Sequence, residues 1–124
     1  MLAVAAAAVT VSTPAALATV RWFGSTGSGV WCEVASKRPA LGTYAECGTA
    51  QPQRSVTLRA SGTTRVCRGL VCVGNAPTNA THLRYGASVV VGPFRCASLQ
   101  RGIRCLVVQS GHGFLIGKRV LKRF

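Results

Sequence analysis

The chain is nearly without acid. Its 124 residues hold no aspartate and two glutamates, Glu33 and Glu46, against fifteen lysines and arginines, for a formal charge of +13. Any paired-carboxylate chemistry therefore falls on that one pair. Histidine is almost as scarce. His82 and His112 are the only two, and a metal held by both would still need a glutamate or serine to complete its shell. Aromatics make up 6%, too few for a base-stacking platform, and no nucleic-acid fold signature accompanies the positive charge. There is no C-x2-C pair of the kind zinc sites use. "GFLIGKR" (113–119) lacks both the glycine spacing and the Ser or Thr after Lys118 of a phosphate-binding loop. No repeat, long linker or bilayer-length apolar run is present. No metal and no cofactor is expected.

What is there begins with "MLAVAAAAVTVSTPAALA". No charge occurs before Arg21, residues 2 to 11 form an apolar run, and Ala16-Leu17-Ala18 has the pattern of a small-residue cleavage site. The stretch reads as a secretory signal peptide over residues 1–18, although it lacks the usual positive start. Cleavage after Ala18 would leave residues 19–124 as a single secreted domain, extracellular or associated with the cell envelope.

The cysteines agree with export. Cys32, Cys47, Cys67, Cys72, Cys96 and Cys105 all follow the apolar start, and an even number in a small exported chain reads as three disulfides. Around them, apolar and polar residues alternate. In "SVTLRA", Val56, Leu58 and Ala60 fall on one face, and Thr57 and Arg59 on the other. "GVWCEVA", "TYAECG", "ASVVVG", "PFRCAS" and "IRCLVVQ" are strand-like, and "GSTGSG", "SKRPALG", "NAPTNAT" and "SGHG" are turn clusters between them. Short strands at this spacing predict an all-β domain, a small antiparallel sandwich or barrel of hairpins.

Nearest-neighbour pairing of the cysteines is consistent with hairpins, among the fifteen connectivities that six cysteines allow. In "CRGLVC", Cys67 opposite Cys72 would pair Arg68 with Val71 and leave Gly69 and Leu70 as a type II′ turn. With Cys96 opposite Cys105, the turn lies within Leu99 to Gly102. Phe94, Cys96, Cys105 and Val107 then share the inner face, with Arg95 and Arg104 outside. Cys32 opposite Cys47 closes the longest loop and places Glu33 opposite Glu46.

Three places could carry function. Glu33 and Glu46, side by side, have the residue types of an acid and nucleophile pair. His112 follows Ser110 by two residues, but no orienting acid adjoins them in sequence. With every cysteine paired, no thiolate is free to act as a nucleophile. In "SGHGF", Gly111 and Gly113 suit a tight reversal, Phe114 returns the chain to the core, and His112 is left exposed at the tip. The C-terminal "GKRVLKRF" carries Lys118, Arg119, Lys122 and Arg123. As an extended strand it would put Lys118 and Lys122 on one face and Arg119 and Arg123 on the other. Such charge suits an edge strand. Joined by Arg95 and Arg104, it would also suit contact with a polyanion.

Three stretches resemble a family of small secreted actinobacterial proteins classed as a domain of unknown function. "FGSTGSGVWC" sets Phe23, Ser25, Val30 and Cys32 at the spacing of that family's F-x-S-P-S-G-N-I-x-C opening. "CVGN" (72–75) resembles its C-A-G-D, with Asn75 in place of the acid. The stretch from Leu83 to Phe124 is the most similar. There Tyr85, Gly86, Gly92, Phe94, Cys96, Ser98, Gly102, Cys105, the "GHGF" of Gly111 to Phe114 and Phe124 fall in place. The family's mid-chain cysteine followed by D-W-G is absent. The resemblance implies a secreted, disulfide-stapled β domain and no particular activity.

The expected function is therefore a secreted, non-enzymatic binding or structural module that associates with anionic cell-envelope polymer or another polyanion. The alternatives are a secreted hydrolase using Glu33/Glu46 or His112, and an inhibitor or effector that binds a protein.

Overall fold

The computed structural model describes residues 5–8, 17–25, 27–72 and 80–124. Most of the expected signal segment, 1–18, and all of "CVGN" beyond Cys72 lie outside the described residues.

Among the described residues, eleven strands form two sheets. The larger contains β1 (Thr19–Ser25), β2 (Val30–Arg38), β3 (Gly42–Ala50), β4 (Gln53–Arg59), β5 (Thr64–Arg68) and β6 (Thr81–His82), in the order β5-β4-β3-β2-β1-β6. The smaller contains β7 (Ser88–Val91), β8 (Phe94–Leu99), β9 (Gly102–Val107), β10 (Gly113–Ile116) and β11 (Leu121–Arg123), in the order β11-β10-β9-β8-β7. Neither sheet closes on itself, so the architecture is a sandwich and not a barrel. Every pairing is antiparallel except the short one between β1 and β6. No α-helix occurs among the described residues, and no helix there is long and apolar enough to cross a membrane.

Alternation builds the core. Phe23, Cys32, Val34, Cys47, Val56 and Leu58 from the larger sheet are buried against Phe94, Cys96, Ile103, Cys105, Phe114 and Ile116 from the smaller. The central strands thereby turn one row of side chains into the core, as β4 does with Val56 and Leu58 and β8 with Phe94 and Cys96.

Three disulfides staple the fold: Cys32–Cys47, Cys67–Cys72 and Cys96–Cys105. Cys32 faces Cys47 across β2 and β3, and Cys96 faces Cys105 across β8 and β9. Both pairs have Cα atoms 4.1 Å apart, the close approach of a non-hydrogen-bonded antiparallel pair. These two bridges meet at the centre of the sandwich, with Cys47 Sγ 3.8 Å from Cys105 Sγ.

The Cys67–Cys72 bridge forms without the expected hairpin. Arg68 pairs with Arg54, not with Val71. After Gly69, whose N–H donates to the Gln53 carbonyl, the chain enters a 3-10 turn over Leu70–Cys72. The Cys67 side chain stands on the outer face of the sheet, beside Ser55. The chain therefore folds over that face to reach it, and among the described residues no return strand runs beside β5.

The C-terminal segment also differs from one continuous strand. β11 starts only at Leu121, because a tight bend, closed by the Gly117 N–H to the Val120 carbonyl at 2.8 Å, precedes it. Val120 is buried, while Lys118 and Arg119 stand exposed at the bend. β11 is an edge strand, as its charge suggested.

Candidate functional site

The outer face of the smaller sheet gathers positive charge. Strand register puts Ala97, Arg104, Leu115 and Lys122 in one row and Val90, Arg95 and Leu106 in the next. Arg95, Arg104 and Lys122 are exposed. The Arg104 guanidinium lies 5.0 Å from the centroid of the Phe124 ring, a cation–π distance that fixes the charge in place. No strand of this sheet contains a carboxylate side chain.

The other three cations expected to join this face are placed elsewhere. Arg123 falls on the core-side row opposite Phe114, exposed at the sheet edge. Lys118 reaches back to the β1–β2 turn, where its side chain lies over Gly29. Arg119 sits beside it on the bend. The six candidates thus divide into a face of three and a rim of three.

His112 is exposed in the turn between β9 and β10, as expected, and Phe114 is buried. Its ring lies beside Gly62 of the β4–β5 turn, and its N–H donates to Ser110 Oγ at 3.3 Å. Gly111 takes the positive φ of 76° that the reversal needs. Gly113 has a different role from the one expected. It is not in the positive-φ region, and a Cβ there would stand 2.0 Å from the Cys105 carbonyl oxygen. The site demands glycine because β9 passes too close. Neither Ser110 nor His112 hydrogen-bonds to a glutamate: both carboxylates belong to the other sheet.

Those carboxylates define a second feature. Glu33 pairs with Glu46 across β2 and β3, as the cysteine register implied. They occupy the outer face of the larger sheet, in a row that runs Trp22, Glu33, Glu46, Thr57, Arg65. Each is anchored by one oxygen. Glu33 Oε1 accepts from Trp22 Nε1 at 3.0 Å and from Arg38 Nη1 at 2.7 Å. Glu46 Oε2 accepts from Thr57 Oγ1 at 3.0 Å. Arg38 also donates to the Tyr44 hydroxyl at 2.6 Å. The bonds to Glu33 and then Tyr44 raise Arg38 above the ordinary arginine range. Arg59 lies over the Tyr44 ring, and the Trp31 indole covers Gly48, which has no side chain to obstruct it.

Arg38, Tyr44, Trp22, Trp31 and Arg65 were not singled out from the sequence. Strand alternation could have placed Trp22 and Arg65 in the glutamate row. The Arg38–Glu33 ion pair depends on an irregularity between Ala35 and Arg38 that no periodicity signals.

The class these features define is a disulfide-stapled β-sandwich with a cationic face on one sheet and an amphoteric groove on the other. No protein-family profile, no curated protein and no solved structure matches the chain.

Proposed function

We propose that the protein is an exported, non-enzymatic binding module that docks through the outer face of its smaller sheet onto an anionic polymer of the cell envelope. One observation carries this reading. Arg95, Arg104 and Lys122 share a face with no carboxylate side chain on any of its strands, and Arg104 is held by Phe124. Cations held on a strand framework suit a polymer of repeated anions, and the +13 charge of the chain adds long-range attraction. Export is supported by three disulfides, which persist in oxidising compartments. The apolar start and the resemblance to a secreted family point the same way.

The test is retention on an anionic matrix over a salt gradient. The wild-type protein should elute late, with affinity falling steeply as salt rises. Arg104→Ala combined with Lys122→Ala should elute earlier and lower the log–log salt slope by about 2, roughly one unit for each contact removed. Equal removal of Arg21 and Arg84 should have less effect. If the two double variants behave alike, the attraction is only net charge and the face is not a site.

A further inference from the structure

The two glutamates lie in a cavity of about 670 Å3 on the outer face of the larger sheet, within the roughly 300–1,000 Å3 typical of small-molecule sites. Three independent devices build its walls. At one end, the register shift between Ala35 and Arg38, with Lys37 and Ala40 at positive φ, shapes the β2–β3 turn and places Leu41 at the rim. Across the floor, Arg38 folds back to hold Glu33 and Tyr44. At the other end, the Cys67–Cys72 bridge lays the 3-10 turn over the sheet and brings Val71 to the opposite rim. A bridge spanning five residues constrains the unfolded chain less than longer ones do. Its effect in the folded protein is to fix this wall.

The lining mixes both signs of charge. Glu33 and Glu46 stand among Arg59 and Arg65, and Glu33 is already paired with Arg38, so neither sign prevails strongly enough to hold a singly charged ligand. What remains are acceptors and donors side by side. Each glutamate keeps one carboxylate oxygen outside the bonds that anchor it. Arg59 and Arg65 supply donors around them, and Leu41 and Val71 supply apolar edges. A hydroxyl group both donates and accepts, so a vicinal pair of hydroxyls can meet a carboxylate and a guanidinium together.

The geometry points to a binding site for an uncharged, polyhydroxylated ligand, a short neutral glycan. It lies on the sheet opposite the cationic face, so the two readings stand or fall separately.

Tryptophan fluorescence gives the test, because Trp22 bonds directly to Glu33. The wild-type protein would be titrated in 0.5 M sodium chloride, which suppresses the polyanion interaction, with cellohexaose, maltohexaose, hexa-N-acetylchitohexaose and, as a rival, zwitterionic trialanine. At least one oligosaccharide should shift the emission saturably, with affinity lowered tenfold or more in Glu46→Gln and in Arg65→Ala. Arg104→Ala/Lys122→Ala should bind it as the wild type does. Thermal melting of each variant separates lost binding from lost folding, and Thr57→Val offers a second, uncharged substitution in the groove. The proposal is overturned if no oligosaccharide binds, if only trialanine binds, or if the folded groove variants bind undiminished.

Discussion

Arg54 ties the two sheets together at Gly117. From β4 of the larger sheet, its Nη2 donates to the Gly117 carbonyl at 2.6 Å and to the Val120 carbonyl at 3.1 Å, both in the bend before β11. Burial, and then the neighbouring charge of Arg68, lower Arg54 from the ordinary arginine range. The charge is thus held at some cost, and the two carbonyls repay it. Arg54→Ala should destabilise the fold by about 2–4 kcal/mol, since it removes two charge-assisted bonds and leaves the Gly117 carbonyl without its partner, while the Val120 carbonyl keeps the Gly117 N–H. Urea unfolding would measure this. Arg68→Gln should act in the opposite sense, by a few tenths of a kcal/mol.

The "GHGF" turn should respond very unevenly to substitution. At Gly113 an alanine Cβ would stand 2.0 Å from a backbone oxygen and 2.7 Å from the Leu106 Cα, neither of which can yield cheaply. Gly113→Ala should cost about 3 kcal/mol or more, or abolish folding. His112→Ala, at an exposed tip, should stay within about 0.5 kcal/mol of the wild type. Thermal melts of the two variants make the comparison.

Among the bridges, Cys67–Cys72 should be the least costly to remove. A paired serine substitution there should cost about 2 kcal/mol, whereas Cys32/Cys47 and Cys96/Cys105 should each cost about 3–5 kcal/mol. The latter four cysteines are fully or almost fully buried, so their loss also disturbs packing. Unreduced peptide mapping should recover Cys67 joined to Cys72.

Tyr44 gives the fold an alkaline limit. Burial raises its phenol above the usual value of 10.0, against the opposing hydrogen bond from Arg38. The folded value lies above the unfolded one, so the unfolded chain gives up its proton first. The stability tied to the neutral phenol is therefore intact below about pH 10 and is lost as pH rises through the folded value. Denaturation midpoints between pH 9 and 11.5 should fall more steeply for the wild type than for Tyr44→Phe.

Much of this was legible because strands alternate and disulfides leave spacing. "SVTLRA" separates Val56 and Leu58 from Thr57 and Arg59 correctly, and the pairing of Cys96 with Cys105 put Arg95 and Arg104 outside. Facing glutamates followed from facing cysteines. Periodicity says which face of a strand a residue occupies. It does not say which turn folds over that face, which is why the spacing of Cys67 and Cys72 alone reads as a hairpin. It is also silent about the bend at Gly117 that splits Lys118 and Arg119 from Lys122. The Arg54 contacts span 63 and 66 residues. They depend on how the two sheets are stacked, and no local pattern encodes that.

The sulfur pair at the centre of the sandwich, Cys47 Sγ against Cys105 Sγ, makes the molecule a reporter of its own opening. Cys32, Cys47 and Cys105 have no solvent exposure and Cys96 has almost none, while Cys67 and Cys72 are half-buried. A small thiol reagent can attack the outer bridge in the native state but must wait for the sheets to part before it touches the inner two. The delay between the first bridge cut and the next then times the opening of a molecule that has already lost its outer bridge, in plain buffer, with no denaturant and no label.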